Sequence, residues 1–391
     1  MLISLSLIML CGLLFGWICK RIHLPGLIGM IFAGILLGPH ALDLIDGFVL
    51  AASADIRRIA LIVILLRAGL KLDLKDLKKE GRSALLMCFV PACFEITGMI
   101  VLAPRLLGIS ILDAAIMGAV VGAVSPAVIV PRMIKLIDGG YGSDKGIPQM
   151  ILAGASVDDV FVIVMFTSFT GMAQGKGVSV MNFVNIPVSI VTGITVGLLI
   201  GMIIVKWYGM IEVNDTVKVI ILMAVSMALS AFENTFSEIP FASLIAIMGI
   251  GVTVRKCNIR LAKEMSQRYD RIWMLAEIFL FALVGTSVAI SSALSAEVNV
   301  ILLLAGVLVF RMVGVFICLI GTELCIKEKL FCMIAYMPKA TVQAAIGGLP
   351  LAMGLSCGEI VLTVSVIAIL VTAPLGAFGI DLTYKKLLTK S

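Results

Sequence analysis

Apolar runs of about twenty residues recur along the whole chain, separated by short polar joints. At roughly 1.5 Å of rise per helical residue, each run matches the roughly 30 Å hydrocarbon core of a bilayer. The pattern predicts spans at 2–19, 26–42, 56–70, 83–107, 112–135, 148–173, 184–206, 216–232, 240–254, 272–293, 298–322, 329–351 and 358–379, about thirteen transmembrane helices. An outer-membrane barrel would alternate apolar and polar positions over segments of roughly ten residues, and these runs are continuous. The first run, Leu2 to Cys19, follows no basic leader and precedes no small-residue cleavage pattern, so it reads as a retained helix.

Composition agrees with the periodicity. Of 391 residues, 61% are hydrophobic and only 14% charged, against roughly 25% charged in soluble domains, and the mean hydropathy is +1.16. The expected fold class is therefore an all-α integral membrane protein with no separate soluble domain. The nine cysteines show no paired metal-type spacing, and Cys88, Cys93, Cys318 and Cys332 fall inside apolar spans, where they read as core filler. The formal charge of +6 raises the question of an anionic partner such as nucleic acid. Placing the joints alternately on two sides answers it: of the 30 basic residues, 23 fall on one side, four on the other and three within spans. The charge is sorted by membrane side, so no nucleic-acid face is expected. The positive-inside rule then predicts a multi-pass cell-membrane protein with its N-terminus outside and its C-terminus cytoplasmic.

An ionisable group at the bilayer centre costs from roughly 2.5 to over 10 kcal/mol, so each one inside a span needs a partner or a purpose. The candidates are Glu95, Asp158, Asp159, Glu277, Arg311 and Lys339. Arg67 and Asp113 lie near span ends, where a side chain reaches the interface, and read as structural. Asp158 and Asp159 stand in GASVDDVFVIVMF. Adjacent helical positions point about 100° apart, so the two carboxylates cannot both face one partner. Two nearby carboxylates in a partly dry site resist simultaneous ionisation, and a cation and protons then compete for them. Sodium prefers oxygen ligands, and Ser156, Ser125, Thr341, Gln343, backbone carbonyls and water are candidates to complete its shell.

Two spans carry interruptions. AVSPAVIVP holds Pro126 and Pro131, and MPKATVQAAIGGLP holds Pro338, Gly347, Gly348 and Pro350. Proline removes a backbone donor and clashes with the preceding turn, so both spans should break or kink there. Freed backbone groups at membrane depth are tolerated only inside protein or along a wet cavity, and paired broken helices point to a transport site. Glu95 precedes Pro126 by 31 residues and Arg311 precedes Pro338 by 27. Spans four to six and eleven to thirteen therefore read as two inverted repeats with broken crossing helices. Their symmetry makes Glu95 and Arg311 a buried charge pair, and leaves Lys339 beside a break to neutralise carbonyl ends.

At these residues the chain resembles the monovalent cation/proton antiporter superfamily, in its double-aspartate branch, and within that the NHA-type sodium/proton antiporters. AVSPAVIVP, GGYGSDKGIPQ, GASVDDV and MPKATVQAAIG match in order, and LPGLIGMIFAGILLGP is similar to the first core-proximal helix of the superfamily. The resemblance implies a homodimer in the lipid bilayer. Its ion-binding core would be approximately 83–173 and 298–379, moving elevator-like against a dimer scaffold of approximately 1–82 and 174–297. It implies exchange of Na⁺ or Li⁺ for protons by alternating access, with Asp159 as the main cation and proton carrier and Asp158 as its neighbour. It calls for no cofactor beyond the transported ions and for no enzymatic step. Arg311 stands where several electrogenic relatives carry a lysine that releases a proton, and arginine stays protonated.

Three other readings share features with this one. A potassium/proton antiporter on the same fold often replaces the first aspartate by glutamine and adds a soluble nucleotide-binding domain, and neither feature is in this sequence. An intramembrane aspartyl protease sets its two aspartates on separate helices with a GxGD-type segment, whereas these are adjacent. A sodium-coupled organic-anion symporter needs a cavity for its substrate, for which the sequence makes no argument.

Overall fold

A computed structural model describes every residue except 23, 72–80, 175–179, 211–213, 237–238, 240, 288–297 and 391; the side chains of 156, 180–187 and 234 are also outside the description. Lys75, Lys78, Lys79 and Lys176, used above to orient the chain, lie outside the described residues, as does the end of the 272–293 span. In the first half the helices are α1 (Leu2–Arg21), α2 (Gly26–Leu37), α3 (Gly47–Ala51), α4 (Ser53–Lys71), α5 (Gly81–Met87), α6 (Val90–Leu107), α7 (Ile111–Val121), α8 (Pro126–Asp138) and α9 (Ile147–Gln174). There follow α10 (Val180–Met210), α11 (Asp215–Thr235), α12 (Ser243–Cys257), α13 (Ile259–Thr286), α14 (Val298–Cys318), α15 (Ile326–Ala335), α16 (Thr341–Ile346), α17 (Leu349–Ala352) and α18 (Gly358–Leu387). Among the described residues, eight helical segments are long and apolar enough to cross a membrane, and Gly26–Leu37 and Thr341–Ala352 are shorter apolar helices.

Packing within these helices follows membrane rules. Helix α1 buries Ser4, Ile8, Gly12 and Gly16, while Leu10, Leu13, Leu14 and Trp17 are exposed. Lipid tails are as apolar as leucine, so nothing drives large side chains inward, and small residues let backbones approach.

The chain divides into two compact units, one of Met1–Ala54, Lys75–Phe166 and Leu280–Ser391 and one of Asp55–Leu74 and Thr167–Phe279. In the second unit α10 crosses α12 through Gly193, Gly197 and Gly201, which share a helix face because they are four residues apart. A Cβ on Gly197 would lie 2.5 Å from the Ala246 carbonyl oxygen, so only glycine permits this approach. Arg67, read as structural near a span end, is partly exposed and paired: its Nε is 2.5 Å from Asp270, which also holds Lys71 at 2.7 Å. Glu277 sits half-buried on α13 in this unit.

The first unit repeats one order twice: a long helix, a broken helix and another long helix. These are α6, α7–α8 and α9, then α14, α15–α17 and α18. Pro126 opens α8, a position where its missing N–H costs nothing. The break therefore falls before it, at 122–125, and Pro131 is carried inside α8 without interruption. The second break runs over 336–340, around Pro338, with a further turn at Gly347 and Gly348. The two breaks touch, since the Ser125 N–H donates to the Pro338 carbonyl at 2.8 Å. Helix α18 closes over the second break, where the Lys339 N–H donates to Thr372 Oγ1 at 2.9 Å. Cys88, Cys318 and Cys332 are buried and free, and Cys93 is half-buried and free.

Candidate functional site

Every charged side chain at the crossing is buried: Glu95 on α6, Asp158 and Asp159 on α9, Arg311 on α14, and Lys339 at the second break. Arg311 is their hub. Its Nη1 lies 2.6 Å from Glu95 Oε2 and its Nη2 lies 3.0 Å from Asp158 Oδ2. Its Nε donates to the Tyr336 carbonyl at 2.7 Å, and Nη1 donates also to the Gly122 carbonyl. The planar guanidinium, with five N–H groups in a fixed fork, is suited to hold partners on four sides at once. Both accepting carbonyls flank the helix breaks, so the arginine supplies donors that helix geometry no longer provides there.

Glu95 and Arg311, expected as a pair, are in contact, and two further charges join them. Lys339 Nζ lies 2.5 Å from the same Glu95 oxygen. Its ammonium therefore does not serve the carbonyl ends; a full carboxylate charge outweighs the roughly half-charge of a helix terminus. Asp158 Oδ2 also accepts the Val124 N–H at 2.8 Å. The result is a row of alternating sign, Lys339, Glu95, Arg311 and Asp158, whose formal charges cancel. Asp159 is different. Among the described residues it has no ion-pair partner, and its Oδ1 is buried without a hydrogen bond.

Other oxygens are in the same condition. Asp158 Oδ1, Glu95 Oε1, Ser125 Oγ and Thr341 Oγ1 are buried without a hydrogen-bond partner. Ser125 and Thr341 each flank a break, so their hydroxyls accompany the carboxylates as neutral oxygen donors of the kind a hard monovalent cation takes. The Ser156 side chain lies outside the described residues. Gln343, expected as a ligand, is otherwise engaged: its Oε1 accepts the Ala340 N–H at 2.8 Å, and its Nε2 donates to the Val121 and Ala123 carbonyls at 3.0 and 2.8 Å. Tyr336 and Thr372 had no signal in the sequence. Tyr336 contributes a backbone carbonyl, with its ring 5.4 Å from the Arg311 guanidinium, and Thr372 sits in an ordinary apolar span.

Residues 6–386 match the model of the family described as sodium/hydrogen exchanger, transmembrane. The chain is 34% identical over 387 residues to human sodium/hydrogen exchanger 9B2, covering 94% of this chain and 70% of the relative. It is 33% identical over 380 residues to the mouse protein of that name, with 94% and 69% covered. Among solved structures it resembles the sodium/proton antiporter MjNhaP1 of Methanocaldococcus jannaschii at 20% identity, with a TM-score of 0.83 and 98% of this chain and 97% of that one covered. At that identity the likeness shows the fold. The match over nearly the whole chain, together with the curated relatives, establishes that this multi-pass membrane protein belongs to the sodium/hydrogen exchanger family.

Proposed function

We propose that this protein exchanges Na⁺ or Li⁺ for protons by alternating access, with Asp159 as the carboxylate that binds the cation or the proton. The observation that carries this reading is the charge balance of the site. Glu95, Asp158, Arg311 and Lys339 sum to zero, so with Asp159 ionised the buried group holds one negative charge. An unpaired buried charge costs several kcal/mol, so it favours taking up one monovalent cation or one proton. Two exclusive ways to neutralise one carboxylate are what antiport needs. Asp158, already matched by Arg311 and Val124, fixes the pole against which Asp159 works. The unpartnered oxygens of Ser125 and Thr341 supply neutral ligands.

Alternating access then needs the site to face each side in turn. The moving part is taken as approximately 83–173 and 298–379, which carries both breaks, against a scaffold of approximately 1–82 and 174–297 that forms a homodimer. The orientation is N-terminus outside and C-terminus cytoplasmic in the cell membrane, as the basic residues argue. The deciding experiment is proton flux in proteoliposomes after addition of Na⁺, Li⁺ or K⁺, with and without a membrane potential. Flux with Na⁺ or Li⁺ supports the reading. Flux with K⁺ alone would make it a potassium/proton antiporter on the same fold.

A further inference from the structure

We infer that Gln343 is a positioning residue that withholds two backbone carbonyls from the transported cation and thereby sets the site's preference for a small ion. The inference rests on the antiporter reading and goes beyond it. Gln343 is buried in the first turn of α16. Where α7 ends at Val121 and the chain leaves helical geometry, the carbonyls of Val121 and Ala123 have lost the amide donors of a continuing helix. The Gln343 amide nitrogen supplies both, at 3.0 and 2.8 Å, across the contact between the two breaks. On its other side Oε1 accepts from Ala340, the residue that caps α16, at 2.8 Å. Two donors and an acceptor are what a neutral primary amide offers, and no other side chain of that length carries the same set. Every strong hydrogen-bonding group of Gln343 is thus used on backbone, and it joins the first broken helix to the second.

The consequence concerns which oxygens remain. The Val121 and Ala123 carbonyls are engaged by the amide, and the buried side-chain oxygens without a hydrogen-bond partner at the crossing are Asp158 Oδ1, Asp159 Oδ1, Glu95 Oε1, Ser125 Oγ and Thr341 Oγ1. Few ligands with high charge density suit a small, strongly hydrated cation, whereas larger potassium is served by more numerous neutral carbonyl dipoles. Releasing two carbonyls next to the site moves it toward the second case. It also loosens the register between Ser125 and Thr341, since each flanks a break that Gln343 ties.

The test uses the full-length protein with Gln343→Met, which keeps length and volume but neither donates nor strongly accepts. A second variant, Gln343→Asn, keeps the amide but withdraws it by one methylene. Two quantities are read: cation-dependent proton flux in proteoliposomes, and the rise in melting temperature that Na⁺ or K⁺ produces in detergent. In Gln343→Met the half-maximal Na⁺ concentration should rise roughly tenfold. The K⁺-to-Na⁺ ratio should rise with it in both measurements, and Gln343→Asn should fall between. A variant that loses maximal rate alone, with half-saturation and ion ratio unchanged, would overturn the inference. If Gln343→Met does not fold, Gln343→Asn with an unchanged ion ratio overturns it equally, and a raised ratio supports it. Failure of the unmodified protein to move protons with any cation sinks the antiporter reading instead, and the melting series still reports on Gln343.

Discussion

Removing Arg311 tests the charge row at its centre. In Arg311→Ala, Asp158 loses its ion-pair partner and keeps only the Val124 N–H, while Glu95 keeps Lys339. One buried carboxylate is stranded, which costs on the order of 3–5 kcal/mol. The Gly122 and Tyr336 carbonyls also lose their donor, and each orphaned buried group adds about 1–3 kcal/mol where water does not reach it. Glu95→Ala strands the Lys339 ammonium instead, but leaves Arg311 with Asp158 and both carbonyls, so it should cost less than Arg311→Ala. At about 2 °C per kcal/mol for a chain of this length, the melting temperature should fall by roughly 6–10 °C in Glu95→Ala and further in Arg311→Ala. The double variant strands both Asp158 and Lys339 but loses the Glu95–Arg311 contact once, where the two single losses count it twice, so its loss should fall short of their sum by about 0.5–3 kcal/mol. Thermal melting of detergent-solubilised protein reads all three. Strictly additive losses, or single variants that melt within a degree or two of the parent, would refute the reasoning.

Asp159→Asn should abolish sodium-dependent proton flux with melting little changed, because it removes the proposed carrier charge at almost constant shape; full flux in that variant would end the assignment, and Asp158→Asn should impair transport less completely. Because cation and proton compete for one carboxylate, the half-maximal Na⁺ concentration should climb as pH falls, and a constant value over roughly two pH units would contradict a shared site. Lys145 lies in the joint before α9, its Nζ 2.9 Å from both Glu328 oxygens, and this contact holds the ammonium above its ordinary value despite some opposing desolvation. A raised lysine contributes stability that is present below its unfolded value and is lost as pH rises through the folded one. Lys145→Met should therefore melt below the parent at neutral pH, with the gap closing on the alkaline side as the ammonium is lost and on the acid side as Glu328, held below its ordinary value by the same contact, takes up its proton; equal melting at pH 7 would show the pair to be idle.

The helical segments were legible in the chain because a bilayer imposes a one-dimensional rule: about twenty apolar residues per crossing, read without knowing any neighbour. The buried charges were legible for a similar reason, since Glu95, Asp158, Asp159, Arg311 and Lys339 are costly wherever their helices pack; Pro126 and Pro338 marked candidate breaks, although Pro104, Pro131 and Pro374 lie inside continuous helices and show that proline sterics alone do not decide a break. Partner choice was legible only for Glu95 and Arg311, which the repeat symmetry pairs. Arg311 reaches Glu95 across 216 positions, Asp158 across 153 and Tyr336 across 25, and which of them a fork of five donors engages depends on how the helices come together. Lys339 turns to Glu95 rather than to carbonyl ends because folding brings a whole charge within 2.5 Å of it. Gln343 shows the same limit: its Oε1 accepts the nearby Ala340 N–H, but the Val121 and Ala123 carbonyls that take its Nε2 arrive only across the crossing. Periodicity and the cost of burying charge belong to single residues and their sequence neighbours; satisfaction of a hydrogen bond belongs to a pair that the fold alone brings within reach.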